Sequence, residues 1–307
     1  MFSSVAYDTA CHRACMQWRS ATRTSVMSQA PSISIVTPSF NQGAFLTEAL
    51  VSVRDQKYDE LEHLVIDGGS DDDTIRILRH YSDGECWKHL HWTSEPDRGQ
   101  SHALNKGFAL AGGNIIGWLN SDDRYRPGCF NYVSRIFQER PEVDVVYGDY
   151  TWIDEDGCTS QLRREIEFSY FILLYHRVLY IPTTATFLRR RVFDEGNWLD
   201  ESLHYAMDFE FFVRLASRGY TFLHVPATLG DFRFQRASKS CTSPRKQLEE
   251  KDRVMHLHSP VLRQLESPAV RRATAALLRS CAAAMRYSEK LMRGYYFDRF
   301  RLATIKP

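Results

Sequence analysis

A short apolar run that ends abruptly in polar residues constrains the fold of this chain more than any other feature. Residues 115–119 are Ile, Ile, Gly, Trp and Leu, and Asn120, Ser121, Asp122 and Asp123 follow directly. Such a run, bounded by Gly and Asn, is typical of a buried strand in a parallel sheet. Ligands of open α/β sheets bind just beyond the carboxyl ends of these strands. The stretch therefore predicts a ligand-binding turn or an ordinary polar turn, because Asn, Ser and Asp also favour turns.

The residues after this strand suit a hard cation. Asp122 and Asp123 are adjacent carboxylates, and Asn120 places an amide oxygen two residues before the first of them. Mg²⁺ and Mn²⁺ prefer oxygen ligands, and Mg²⁺ usually binds through one or two carboxylates together with substrate phosphates. If the turn is functional, a divalent cation is therefore the expected cofactor.

Composition and charge exclude several classes of protein. The 307 residues carry a formal net charge of +1, which gives no strong field for nucleic acid. No apolar run approaches the about 20 residues that a membrane-spanning helix needs. The seven cysteines are odd in number and scattered, so they indicate neither a disulfide framework nor a structural zinc site. We expect a soluble cytoplasmic protein that binds no nucleic acid.

Strands and helices alternate along the first half of the chain. Strands are predicted at 33–37, 61–66, 89–94 and 115–119, and helices at 43–54, 74–81 and 102–111. The first strand should stop before Pro38, which a central strand would not hold. This alternation predicts βαβ units and a parallel sheet. Because the carboxyl ends of parallel strands share one edge, Asp67, Asp97 and Asp122 should converge there.

The second half shows weaker signals. They predict a helix to about residue 140, a strand at 143–148, a hairpin at 154–157, a helix at 203–219 and late strands at 220–225 and 228–234. Residues 168–180 are rich in aromatic side chains, which either line an acceptor groove or pack in a core. Residues 236–242 are polar and could form a loop over the site.

Both ends of the chain are expected to lie outside the main domain. Residues 1–31 show no clear period and should form a tail, an extension upstream of a start at Met27, or a transit peptide. Residues 243–307 should form a basic helical extension, in which 261–307 holds ten basic and three acidic residues. A basic amphipathic helix can contact an anionic membrane, its own domain or a partner. Its expected apolar stripe is Ala275, Leu278, Ala282, Met285 and Met292.

Several short motifs, taken in order, resemble those of the family 2 inverting glycosyltransferases, which have the GT-A fold. The matching segments are 35–41 (IVTPSFN), 65–74 (VIDGGSDDDT), 97–101 (DRGQS), 104–107 (LNKG), 118–123 (WLNSDD), 207–208 (MD), 232–233 (FR) and 238–240 (SKS). The resemblance covers roughly residues 32–240. It implies an α/β, Rossmann-like, mostly parallel central sheet flanked by helices, as a GT-A domain over 32–242 with the helical extension after it.

The resemblance also implies roles for individual residues. The implied donor-binding positions are Thr37, Pro38, Asn41, Asp67, Asp97, Gly99, Asn105, Asp123 and Arg233. Asp67 would contact the base of the donor, usually uracil in this family, and Asp97 would stand beside the ribose and base. Asp122 looks like the metal-binding carboxylate of the D-x-D motif, and Asp208 looks like the catalytic base.

The implied reaction moves a sugar from a nucleoside diphosphate sugar to an acceptor hydroxyl with inversion. The acceptor would be a glycan, a lipid-linked glycan or a small molecule, in polysaccharide or glycoconjugate biosynthesis. Chemistry supports these roles, because Mg²⁺ or Mn²⁺ at Asp122 would stabilise the leaving diphosphate. A carboxylate such as Asp208 can take the proton of the attacking hydroxyl.

Two positions depart from the family pattern. Asn120 stands at the first D-x-D position, and Gln235 stands where many members have a His that binds the metal. Both offer only a neutral oxygen, so the metal site of Asp122, Asn120 and Gln235 should be weak. One alternative is a degenerate relative that binds a nucleotide sugar without catalysis. Another is a nucleotidyltransferase, which the lack of a Gly-rich phosphate loop disfavours.

Overall fold

The computed structural model describes residues 30–235 and 243–296. The expectations for the N-terminal tail, for the loop at 236–242 and for the end of the basic extension fall outside the described residues. The strands are β1 (Ile33–Ser39), β2 (Leu61–Asp67), β3 (Leu90–Ser94), β4 (Ile115–Trp118), β5 (Arg124–Tyr125), β6 (Val145–Ile153), β7 (Thr159–Arg163), β8 (Thr186–Arg189) and β9 (Phe222–Arg233).

The helices lie between the strands and after the last strand. They are α1 (Gly43–Arg54), α2 (Thr74–Ser82), α3 (Gln100–Leu110), α4 (Cys129–Glu139), α5 (Tyr170–His176), α6 (Arg191–Asp194), α7 (Met207–Ser217), α8 (Pro244–His258), α9 (Pro260–Arg263) and α10 (Pro268–Met292). Short 3₁₀ helices occur at Glu85–Trp87 and Thr183–Ala185. Among the described residues, no helix is both long and apolar enough to cross a membrane.

One sheet runs through the molecule in the order β3-β2-β1-β4-β8-β6-β9-β5, and β7 pairs with β6. The first four strands pair in parallel, as predicted, and β6 also pairs in parallel with β9. The pairs that involve β5, β7 and β8 are antiparallel. The predicted α/β fold is confirmed, with parallel pairing concentrated in the first half.

Pro38 corrects one expectation, because it lies inside the central strand β1. β1 pairs with β2 as far as Ser39, but its pairing with β4 ends at Val36. The Val36 carbonyl accepts from the N–H of Leu119, so the backbone hydrogen-bonding groups of every second residue of β1 face β4. The backbone nitrogen of Pro38 faces the same side, but it lies beyond the end of β4, so no hydrogen bond between strands is lost there.

The two late strands expected at 220–225 and 228–234 are a single strand, β9. Its register against β6 slips between Val225 and Thr228, opposite Gly148 and Asp149. Pro226 lies at this slip, and a bulge is where a sheet tolerates a proline. The pairing of β9 with β6 is therefore interrupted at this point, but the strand continues in the same direction.

The C-terminal helices pack on the body of the fold. Ala275 and Ala282 of α10 belong to the same buried cluster as the core of the sheet, and Leu278 packs against it. The rest of the expected stripe is wrong, because Met285 and Met292 are 48% and 80% exposed. Their place on the inner face is taken by Arg286 and Lys290, which pair with buried Glu165 at 2.7 and 2.8 Å.

Candidate active site

A cavity of about 720 Å³ opens at the carboxyl ends of β1 and β4. Its wall is made by the turns after β1 to β4, the start of α7, the end of β9 and one residue of α8. The predicted site residues that line it are Pro38, Asp97, Gly99, Asn120, Asp122, Asp208, Arg233 and Gln235. The cavity therefore brings together the turn residues Asp97 and Asp122 with Asp208, which lies far from them in sequence.

The remaining predicted residues are not part of this wall. Thr37, Asn41, Asp67, Asn105 and Asp123 are absent from the lining. Asp67 is fully buried, and its carboxylate accepts from the backbone N–H of Gly69 and Ser70 at 3.0 and 2.9 Å. The hydroxyl of Ser94 donates to it as well, at 2.7 Å. Asp67 thus joins the turn after β2 to the end of β3, and a contact with the base stays a prediction.

The side chains of three other predicted residues also form hydrogen bonds within the protein. The Oγ1 of Thr37 lies 2.9 Å from the Nε2 of buried His63. Asn41 has a positive φ of 52° and accepts from the N–H of Asp71. The side chain of Asn105 donates to the carbonyl of Leu199 and accepts from its N–H. These contacts fix the backbone around the cavity.

Asp97 and Gly99 form the entry to α3. The Asp97 carboxylate accepts from the Gly99 N–H at 2.6 Å, and Gly99 has a φ of 115°, which favours glycine. Helix α3 begins at the next residue. The turn thus holds the Asp97 side chain at the rim of the cavity.

The turn after β4 turns Asn120 away from the other two predicted cation ligands, Asp122 and Gln235. Gln235 donates from Nε2 to Oδ2 of Asp122 at 2.6 Å, so these two side chains meet. The Oδ1 of Asn120 instead accepts from Gln100 and from the indole of Trp118, both at 3.0 Å. Because both lone pairs of that oxygen are engaged, Asn120 is poorly placed to bind a cation.

The residues at this point fit a cation that is shared with a substrate, rather than one held by the protein alone. Within 30–235 and 243–296, no group of three or more His, Cys, Asp and Glu side chains could hold a metal ion. Asp122 supplies one carboxylate, and Gln235 can supply an amide oxygen. Mg²⁺ commonly takes only one or two carboxylates and completes its shell with phosphates and water. Burial raises the pKa of Asp122, and hydrogen bonds and the positive charge of Arg233 oppose that shift.

Asp123 is buried directly behind Asp122. It accepts from the backbone N–H of Arg233 at 2.9 Å and from the hydroxyl of Thr184, and the amide of Asn120 donates to it at 3.2 Å. Burial, and then the neighbouring Asp122, raise its pKa well above the usual value. Asp123 therefore ties β9 to the turn after β4.

Arg233 reaches the same turn from the end of β9. Its Nε donates to the main-chain carbonyl of Asp122 at 2.8 Å. Its terminal nitrogens donate to the carbonyls of Asp154 and Glu155 and to the carboxylate of Glu48. The guanidinium also lies over the ring of Phe45, with 4.9 Å between its central carbon and the ring centroid. Arg233 thus borders the cavity while its donors hold the surrounding chain.

Asp208 is the second residue of α7 and its side chain is partly exposed to the cavity. Burial raises its pKa, and the positive charge of Lys251 on α8 opposes that shift. Lys251 is itself buried, and desolvation lowers its pKa. A carboxylate with a raised pKa is a better proton acceptor than an ordinary one, provided that it stays ionised.

Some wall residues were not among the predicted site residues. Phe40 is 60% exposed at the cavity, and its position in the turn after β1 was a signal that sequence reasoning could have used. Ser39 Oγ and Gln42 Oε1 are buried lining atoms with no hydrogen-bond partner in the described part of the chain. His204, Tyr205 and Gln247 complete the opposite wall, and no motif marks them. The aromatic stretch at 168–180 is absent from the lining, and it packs in the core instead.

Solved structures with the same fold are known, at low sequence identity. S. aureus TarS (residues 1–349) in complex with UDP-GlcNAc has a TM-score of 0.63 and 16% identity, and the match covers 90% of this chain and 76% of that one. A mannosyltransferase from Pyrobaculum calidifontis, in complex with GDP-Man and Mn²⁺, has a TM-score of 0.56 and 16% identity, with 97% and 89% covered. This likeness confirms the predicted GT-A type of α/β fold.

Sequence comparison gives the family. An uncharacterized glycosyltransferase from Mycobacterium tuberculosis is 32% identical over 192 residues, which is 62% of this chain and 71% of that protein. The model of glycosyl transferase family 2 matches residues 34–197, more than half of the 307 residues, and it includes the turns that carry Asp67, Asp97 and Asp122. The chain belongs to glycosyl transferase family 2.

Proposed function

We propose that this protein is an inverting, metal-assisted glycosyltransferase that uses a nucleoside diphosphate sugar. One observation carries the proposal: Asp122 and Asp208, on separate elements, face the same cavity of about 720 Å³. Asp122 lies beside Gln235 and suits a cation that binds a diphosphate, and Asp208 lies at the start of α7, where it can accept a proton from an acceptor hydroxyl. The acceptor would be a glycan, a lipid-linked glycan or a small hydroxyl compound, in polysaccharide or glycoconjugate biosynthesis.

The donor would bind along the turns after β1 to β4. Ser39 and Gln42 each present a buried polar atom that lacks a partner among the described residues, and such atoms gain most from a ligand. The exposed ring of Phe40 offers a flat apolar face on which a base can stack. We propose a uridine nucleotide as the donor. TarS supports that choice with UDP-GlcNAc, whereas the mannosyltransferase has GDP-Man.

Asp122 and Gln235 would hold Mg²⁺ or Mn²⁺ together with the diphosphate of the donor. The cation would supply Lewis-acid stabilisation of the charge that develops on the leaving group. Arg233 keeps the main chain of Asp122 in place through its carbonyl, and Asp123 anchors the same turn. We therefore assign Arg233 and Asp123 to positioning rather than to direct contact with the donor.

Asp208 would accept the proton of the acceptor hydroxyl. As that proton leaves, the hydroxyl oxygen forms a bond to the anomeric carbon of the sugar. The bond from this carbon to the diphosphate breaks at the same time, and the nucleoside diphosphate leaves with the electron pair. A single displacement inverts the anomeric centre, so no covalent intermediate with the protein is needed.

The surroundings of the reaction are also proposals. We place a GT-A domain at 32–242, followed by the helical segment 243–307, and we expect the protein to act in the cytoplasm. Residues 261–307 would contact a membrane surface, because Leu277 and Leu291 are exposed on a helix within a basic segment.

A second candidate function is a binder of nucleotide sugars without catalysis. The occupied oxygen of Asn120 favours it, because only Asp122 and Gln235 remain as cation ligands. The two functions differ in turnover, and Asp208 has no evident use in a binder.

A binding titration and a turnover assay test the proposal. UDP, GDP, dTDP and CMP are titrated with and without Mn²⁺, and release of nucleoside diphosphate is measured with UDP-GlcNAc and GDP-mannose. We expect Mn²⁺ to strengthen the binding of one diphosphate and its sugar conjugate to be consumed. Binding without consumption would favour the binder, and the lack of any nucleotide binding would refute both functions.

A further inference from the structure

Helix α8 reaches the cavity from the C-terminal segment, which carries none of the family's motifs. Gln247 of this helix lines the cavity and donates to the main-chain carbonyl of Tyr205 at 3.4 Å. Lys251, one turn later, is buried and acts electrostatically on Asp208. One face of α8 therefore belongs to the wall that holds the proposed base.

Glu250 connects α8 to that wall through three hydrogen bonds. Its Oε2 accepts from the backbone N–H groups of Tyr205 and Ala206, both at 2.8 Å. Its Oε1 accepts from the N–H of His204 at 3.2 Å. Three consecutive amides just before α7 thus converge on one carboxylate.

The start of α7 depends on this carboxylate from elsewhere in the chain. Ala206 occupies the N-cap position and has no side chain that could cap the helix. A negative charge is favourable at this end of a helix, because the helix dipole is positive there. Hydrogen bonds to an ionised acceptor are about twice as strong as neutral ones. Glu250 consequently fixes the segment that runs from His204 into Asp208.

We propose that Glu250 is a positioning residue for sugar transfer. It holds residues 204–206, and through them it sets the approach of the Asp208 carboxylate to the acceptor hydroxyl. His204 and Tyr205 line the same wall, so Glu250 also shapes the acceptor side of the cavity. This inference rests on the proposed function, because it assigns Asp208 the role of the base.

The neighbouring Glu249 provides a matched control. It lies on the outer face of α8, where its side chain is 59% exposed and pairs with Arg245 at 2.9 Å. A substitution there makes the same chemical change on the same helix without touching residues 204–206. The test set is Glu250→Gln and Glu250→Ala against Glu249→Gln and Glu249→Ala.

Turnover should respond to Glu250 while nucleotide binding does not. With UDP-GlcNAc or GDP-mannose, whichever the wild type consumes, Glu250→Ala should lower kcat by about a hundredfold and Glu250→Gln by about tenfold, because a small displacement of a reacting group is costly. The Kd for the nucleotide should stay within about twofold, since the donor turns lie on other elements. The Glu249 variants should match the wild type in both measurements.

The pH profile separates positioning of the base from general support of the fold. Lys251 and Glu250 of α8 both act electrostatically on Asp208, and the negative charge of Glu250 raises its pKa. Loss of the negative charge in Glu250→Gln should lower that pKa. Because the base works when deprotonated, the acidic limb of kcat should then shift to lower pH, which loss of folded protein alone would not cause.

Amide hydrogen exchange tests the contact without any need for turnover. Glu250→Ala should speed exchange in residues 204–206, whereas Glu249→Ala should leave it unchanged. Unchanged exchange and unchanged kcat in the Glu250 variants would overturn the inference and leave the proposed function intact. A wild type that binds nucleotide but consumes no donor would overturn the proposed function, and the role of Glu250 in transfer with it.

Discussion

The two walls of the cavity are built in different ways. The proposed donor wall consists of the turns after the parallel strands β1 to β4. Some of its polar groups are held by neighbours in sequence, as Asp67 holds Gly69 and Ser70, and Arg233 holds the Asp122 turn from β9 of the same sheet. The opposite wall is assembled from remote segments, because Glu250 reaches Ala206 across 44 residues. The first depends on the sheet, and the second depends on the docking of α8. Nucleotide binding and turnover should therefore be separable by mutation.

The largest effect is expected on the opposite wall, which is formed by the segment before α7, the start of α7 and one face of α8 and is called the α7 wall below. Asp208→Asn removes the proton acceptor but keeps the size of the side chain. We expect kcat to fall by about 10²–10⁴-fold, the usual range for a general base, with little change in the Kd of the nucleotide. Asp59→Asn, at an exposed position away from the cavity, is the control. Turnover that survives Asp208→Asn would mean that another group takes the proton.

The matching change on the donor wall is Asp122→Asn. It removes the one carboxylate that faces the cavity at the end of β4, so the strengthening of nucleotide binding by Mn²⁺ should disappear. We expect a loss of about a hundredfold in Kd with Mn²⁺ present, or roughly 2.7 kcal/mol, and little change without it. Calorimetric titration with and without the ion measures both. An equal loss under both conditions would place Asp122 on the nucleotide rather than on a cation.

A third change tests the docking of the C-terminal helices. Glu165→Gln leaves Arg286 and Lys290 buried without a negative partner. Breaking a buried ion pair in this way should lower the free energy of unfolding by about 3 kcal/mol. Glu139→Gln, in an exposed pair with Arg135, should change it by less than about 0.5 kcal/mol. Urea unfolding followed by circular dichroism compares the two, and equal stabilities would show that the buried pair is not needed for docking.

The smallest expected effect tests whether residue 235, in the donor wall, is a ligand of the ion. Gln235→His replaces an amide beside Asp122 with an imidazole, which is a better ligand for Mn²⁺. We expect Mn²⁺ to bind about tenfold more tightly in the presence of nucleotide, with the change of a single ligand as the reason. Gln138→His, outside the cavity, controls for added histidine. Unchanged affinity would exclude residue 235 from the coordination of the ion.

Local patterns predicted the donor wall well. The first four strands and three helices lie close to their predicted positions, because hydrophobic periodicity and turn residues are properties of short segments. Asp97 and Asp122 line one cavity, as expected from the rule that the carboxyl ends of parallel strands share one edge of the sheet. Pro38 was misjudged because the place where β4 ends relative to β1 is not encoded near the proline.

The α7 wall was predicted only where a motif marked it. Asp208 lies at the cavity as expected, and its role stays a prediction. The contributions of Glu250 and Lys251 were not predicted, because contact between α8 and α7 depends on the docking of distant surfaces. The same limit explains Asn120, whose oxygen is taken by Gln100 and Trp118. Met285 and Met292 were wrongly placed inside, since an apolar pattern could not foresee that Arg286 and Lys290 would pair with Glu165.

The hydrogen bonds of Arg233 have a consequence for engineering. The hairpin between β6 and β7 is a surface loop of the kind that usually accepts insertions. Here the carbonyls of Asp154 and Glu155 hold the guanidinium that in turn holds the main chain of Asp122. A lengthened or grafted hairpin would thus shift Arg233 and, with it, the main chain of Asp122 in the donor wall. Anyone redesigning this enzyme should treat that loop as a fixed part of the scaffold.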